Sequence, residues 1–303
     1  DEVTYTASMD GKIEMQNDRI VVLPVHEVSG NAELAEGNID FRGDIVIHGN
    51  VESGVNIRAT GSITIDGVAE ACMLEAGKDI ILRGGMLGGN KASVKTKGAI
   101  TAKFFEFTNI LCEGDLQADV LMDCSVICHG QIRLTGRKGS IIGGKVQAIR
   151  GLIATSLGND AEKRTEIFVG AGIDVYSRLR VMEKKIETTR EELAKIEEGL
   201  EKFEILSKER GVSYTNDPRR TSLLRIKIKD SAMLASDEEE VRKLRILAES
   251  SKGACVSVIQ EIYPGVIINM DELKLALKNM ATGVEFYKLP DKIGTRPCSA
   301  GVE

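Results

Sequence analysis

The spacing of apolar positions changes period twice along the chain. Between residues 41 and 150 one phrase keeps returning: a glycine, a small or polar residue, an aliphatic, one residue, a second aliphatic. It reads Gly43-Asp44-Ile45-Val46-Ile47 and Gly61-Ser62-Ile63-Thr64-Ile65, with a slipped copy at Gly77-Lys78-Asp79-Ile80-Ile81-Leu82. Then come Gly98-Ala99-Ile100-Thr101-Ala102, Gly114-Asp115-Leu116-Gln117-Ala118 and Gly130-Gln131-Ile132-Arg133-Leu134. Aliphatics that alternate mark a strand. Successive glycines lie 18, 16, 21, 16 and 16 residues apart, too short for a helical-pair repeat and suited to one coil of a parallel β-solenoid. A second apolar patch sits between phrases (Val55 and Ile57, Cys72 and Leu74, Val94, Ile110 to Cys112, Val126 and Cys128), so each coil is expected to hold at least two strands. The glycine ahead of each phrase is expected to supply a positive φ at a corner. Parallel crossovers are right-handed in nearly all cases. The expected fold is therefore mainly β, a right-handed parallel β-helix with Ile45, Ile63, Ile100, Leu116 and Ile132 in one interior column.

At about Ser177 the period becomes helical. Leu179, Met182, Ile186, Thr189, Leu193, Ile196, Leu200 and Phe203 fall at alternating steps of three and four, a heptad seam with one polar member. Gly211 is a C-terminal stop, and Asp217-Pro218 an N-cap and first helical residue. A second helix over 218–250 has a noisier heptad, interrupted by Lys227, Asp230 and Asp237. Two helices joined by a short loop imply an inserted antiparallel coiled-coil hairpin. The expected division is a β cap over 1–30, with a turn at Asn17-Asp18, and a solenoid over 31–175. The hairpin occupies 176–252, strands return over 253–288 to complete the solenoid, and 289–303 is a loose tail.

Composition narrows the chemistry. A net charge of −6 and the absence of Trp disfavour a nucleic-acid surface and sugar-binding aromatic platforms. No run of eighteen apolar residues occurs, so no membrane insertion is expected. The six cysteines form no C-x-x-C pair; Cys112 and Cys128 are one coil apart and are expected to stack as reduced core residues, which fits the cytoplasm. Lys138 to Val146 nearly spells a phosphate loop, but Val146 stands where Ser or Thr would hold magnesium, and strand alternation continues where a helix should start. No cofactor, nucleotide or metal site is expected. The acids Asp66, Glu70 and Glu75, and Glu113, Asp115, Asp119 and Asp123, read as solvated strand faces, and His26, His48 and His129 have no partnered nucleophile.

The order of several stretches carries a resemblance: Phe41-Arg42-Gly43-Asp44-Ile45, Gly88-Gly89-Asn90, Lys97 to Phe104, Lys138 to Gly144, Thr165 to Gly170, and Tyr263-Pro264-Gly265-Val266 after the helical insert. In these the chain resembles the β-solenoid and coiled-coil region of the bacterial flagellar assembly protein A family. A separate N-terminal domain, usual in that family, is not read in this sequence. The resemblance implies a cytoplasmic role in flagellar assembly or cell regulation through protein contacts, with no established catalytic residues. The expected function is a non-enzymatic scaffold, with a carbohydrate-active β-helix enzyme and a polymer-forming cytoskeletal solenoid as alternatives. The candidate partner-binding residues are Leu179, Met182, Ile186, Leu193, Ile196, Leu200 and Phe203, and the expected assembly is a homodimer with an unidentified protein partner.

Overall fold

The computed structural model describes residues 11–16, 19–136, 138–211, 213–215 and 217–299. It is a parallel β-solenoid of about eight coils together with two long helices. The coils present three faces, in keeping with the expected minimum of two strands, although at Ala32 and Val51 the middle face is only a single bridge. On the first face, parallel register links Ile45, Ile63, Ile80, Ile100, Leu116, Ile132, Leu152 and Val256 in one column, and every member is buried. The slipped copy thus rejoins the column at Ile80. The second face stacks Ala69, Met86, Phe105, Leu121, Ile141, Leu157 and Ile262. The third stacks Ile57, Leu74, Val94, Ile110, Val126, Val146, Ile167 and Ile268. The second face escapes a reading by periodicity because its strands are short, such as Ala69–Glu70 and Val120–Met122, or run into the next face, as in Met86–Thr96 and Phe104–Cys112. Two or three residues are too few to display an alternation.

The phrase glycines do a different job from the one expected. Among the described residues, Gly61, Gly77, Gly98, Gly114 and Gly130 have ordinary φ. They are required by close approach. Gly130 donates its N–H to the Gly114 carbonyl at 3.1 Å, and a Cβ on Gly130 would lie 2.3 Å from that oxygen. The polar residue after the glycine completes the joint. Asp44, Asp79 and Asp115 accept the N–H of Ser62, Ala99 and Gln131 one coil on, at 2.7, 2.8 and 2.7 Å. Their Oδ1 atoms pass 2.1, 2.3 and 2.3 Å from where a Cβ of Gly61, Gly98 and Gly130 would stand. Left-handed residues recur at the corner between the second and third faces, at Gly89, Asn90, Phe107, Asp123 and Gly143, and occur at other corners at Gly85, Gly139 and Gly151.

At the N-terminal side β1 (Lys12–Gln16) and β2 (Arg19–Leu23) form an antiparallel pair of their own; the expected Asn17-Asp18 turn lies outside the described residues. β3 (Val25–Val28) begins the first face, parallel to Asp44–Ile47. After the helices, Cys255–Ile262 and Val266–Met270 add one more parallel coil. The next three strands, Leu273–Ala276, Ala281–Lys288 and Ile293–Pro297, pair antiparallel. The segment after Leu289, expected to be loose, therefore includes a hydrogen-bonded strand.

The second compact unit, Ile173–Ser250, is helical. Helix α1 spans Gly172–Arg210 and helix α2 Pro218–Ser250. Helix α1 starts a few residues before the expected 176. It ends at Gly211, whose φ of 62° is a left-handed helix terminus. Asp217 caps α2 by accepting the Arg219 N–H at 2.8 Å.

Candidate functional site

The heptad seam of α1 splits into two halves. Met182 and Ile186 are buried in a small cluster with Val241 and Leu244, and Val175, Leu179 and Leu234 pack against it half-buried. Thr189, also buried, turns its hydroxyl back to donate to the Lys185 carbonyl at 3.0 Å. Beyond Thr189 the seam opens: Leu193, Ile196, Leu200 and Phe203 are only half-buried. The Phe203 ring instead lies tilted against Tyr214, with centroids 6.1 Å apart.

Helix α2 explains this asymmetry. Its Lys227 and Asp230 are half-buried and Asp237 is buried, so charge occupies inward positions. Lys227 pairs with Glu197 and Asp237 with Lys185, both at 2.7 Å. Further cross-helix pairs join Arg190 to Glu238 at 2.5 Å, Glu183 to Arg245 at 2.6 Å, and Arg178 to Glu240. Exposed ion pairs contribute little stability, but like-charge mismatches disfavour other alignments, so these pairs set register. Meanwhile Ile226 and Ile228, 45% and 71% exposed, face outward. On one side of the hairpin an open groove of 1340 Å³ has Ile186 and Val241 in its floor and Glu187, Arg190 and Arg242 in its walls.

Four acids of the two solenoid clusters pair with cations one or two coils away. Asp66 lies 3.2 Å from Arg83, and Glu75 lies 3.0 Å from Arg58 and 3.6 Å from Lys95. Asp115 pairs with Arg150 at 2.5 Å, and Asp123 with Lys163. The Arg58 guanidinium holds Glu75 below the usual carboxylate range, which favours the ionised form and not a proton donor. Two-carboxylate glycoside hydrolysis needs a protonated partner within the pair. Among the described residues no group of His, Cys, Asp and Glu has metal-binding geometry.

Cys112 and Cys128 are register partners, as their spacing predicts. Their thiols donate to the carbonyls of Gly98 and Gly114 at 3.4 and 3.2 Å. Burial pushes the Cys72 thiol up to about 12 and the Cys124 thiol to about 11, so both stay protonated and unreactive at neutral pH. In the glycine-rich stretch before Lys145, Gly144–Ala148 is a strand, Val146 is buried between Val126 and Ile167, and the Lys145 ammonium lies 4.6 Å from the Phe168 ring centre. A phosphate loop needs a helix at that point. Adding ATP with magnesium is therefore expected to leave the melting temperature unchanged. A saturable rise would reveal a phosphate site, because a ligand that binds the native state raises its stability.

Among the described residues no helix is long and apolar enough to cross a membrane. The family model described as Flagellar Assembly Protein A beta solenoid domain matches residues 24–293. No curated protein matches the chain, and no solved structure does.

Proposed function

The chain belongs to the flagellar assembly protein A β-solenoid family, and from that premise we propose that it is a non-enzymatic scaffold acting through protein contacts in flagellar assembly or cell regulation. The hairpin is its docking arm. The observation that carries this reading is the incompletely covered distal half of the helical pair. Leu193, Ile196, Leu200 and Phe203 stay half-buried, while α2 turns Lys227 and Asp230 inward and Ile226 and Ile228 outward. Apolar surface left uncovered in this way marks interfaces more often than chance. The engaged carboxylates speak against the sugar-cleaving alternative. The antiparallel strands from Leu273 to Pro297 speak against an end-to-end polymer, because they end the parallel stack.

The partner we assign first is a second copy of the chain, since the hairpin carries nearly balanced charge and can pair with itself. Replacing residues 178–249 with a short Gly/Ser linker tests this. The intact chain is expected to run as a dimer by light scattering, and the shortened chain as a monomer with a β-type circular dichroism spectrum. An unchanged oligomer would move the interface onto the solenoid. If the intact chain is itself monomeric, the homodimer fails, and affinity capture with the two forms then tests the docking arm for another protein. Equal capture by both forms would remove the hairpin from the function.

A further inference from the structure

One histidine stands between two coils in an arrangement that a neutral ring cannot satisfy. His48 follows the strand Asp44–Ile47 at a corner of the solenoid. Its Nε2 lies 2.9 Å from Glu27 Oε1 on β3, in the preceding coil. Its Nδ1 lies 2.9 Å from Asp66 Oδ2, in the following coil. A neutral imidazole has one N–H and one lone pair, so it can donate to only one of these carboxylates. Its other nitrogen would then face a carboxylate oxygen, lone pair to lone pair. Only the imidazolium donates to both.

The surrounding charges agree. Behind Glu27 stands Lys12 of β1, and behind Asp66 stands Arg83, 3.2 Å away. With His48 charged, the row Lys12, Glu27, His48, Asp66, Arg83 alternates in sign without a break. We infer that His48 is a protonation-dependent clamp, which fastens β3 and the β1–β2 pair to the body of the solenoid and loosens when it loses its proton.

Hydrogen bonds to Glu27 first and Asp66 second raise the His48 pKa above its ordinary value. The contribution of the clamp is therefore fully present below the unfolded value of about 6.5 and is lost as pH rises through the higher folded value. Glu27 is held below the usual carboxylate range, by Lys12 first and His48 second, so it stays ionised throughout that window. The clamp is partly exposed, and added salt should weaken it.

The test uses the full chain. Ring-proton NMR should show His48 titrating above about 6.5. Amide exchange, corrected for intrinsic rates, should report on the bonds from Asp44 N–H to the Pro24 carbonyl and from His48 N–H to the Val28 carbonyl. Their protection is expected to fall between about pH 6 and pH 8.5, the interval that spans histidine titration. His48→Lys, charged at both pH values, should keep protection nearly flat. His48→Gln, neutral at both, should be poorly protected at both. If His48 titrates at or below its ordinary value, or if His48→Gln shows the same pH dependence as the parent, the clamp is overturned.

Discussion

Leu116→Asp is expected to cost the solenoid about 4 kcal/mol or more, read as a large fall in the melting temperature followed by circular dichroism. Leu116 is fully buried, with Ile100 before it and Ile132 after it in the same column. An aspartate there would either bury an unpaired charge or be forced to stay protonated against its ordinary pKa, and both outcomes are unfavourable. The damage should spread, because each coil is stabilised mainly by its two neighbours. Gln117→Asp is the control. It lies next in the same strand but points to solvent, so the expected change is within about 0.5 kcal/mol. Equal melting of the two variants would mean that the inner and outer faces of this strand have been assigned the wrong way round.

Gly130→Ala carries the second large effect, expected at about 1–3 kcal/mol of destabilisation, the usual range for overpacking. The obstacle is backbone. The added carbon would meet the Gly114 carbonyl carbon at 2.6 Å as well as its oxygen at 2.3 Å, and neither atom can move without parting two coils. The opposing effect is a less flexible unfolded chain, worth about 0.4–1 kcal/mol in favour of alanine. Gly30 separates the two. It has ordinary φ and open space where a Cβ would stand, so Gly30→Ala should be neutral or slightly stabilising. Should the two alanine variants melt alike, the close approach of coils does not explain the recurrent glycine.

Local periods and capping residues were enough to place the first-face column and the helical insert with its ends at Gly211 and Pro218, though α1 begins at Gly172, before the expected 176. Strand and helix periods and caps are short-range properties, legible within a few residues. They were also enough to mark Lys227, Asp230 and Asp237 as misfits, since a heptad shows its own interruptions. The reason for the phrase glycine was not legible: Gly130 looks like a turn residue until the Gly114 carbonyl is stacked beneath it. Two of the left-handed corners were hidden for the opposite reason, because Phe107 and Asp123 occupy positions where a glycine would have announced the turn.

The remaining features are set by contacts that no window of sequence contains. Whether Leu193 to Phe203 would be covered depended on which residues of α2 faced them, and the distal answer mixes Leu223 with the charged Lys227 and Asp230. The strand Ile293–Pro297, in a stretch with no clear alternation, exists because Ala281–Lys288 offers it an edge. His48 read as a lone histidine because its carboxylates lie 21 residues before it and 18 after it. Coil lengths vary along the chain, so the residues that meet across coils are decided by register, and register is decided by packing of the whole core.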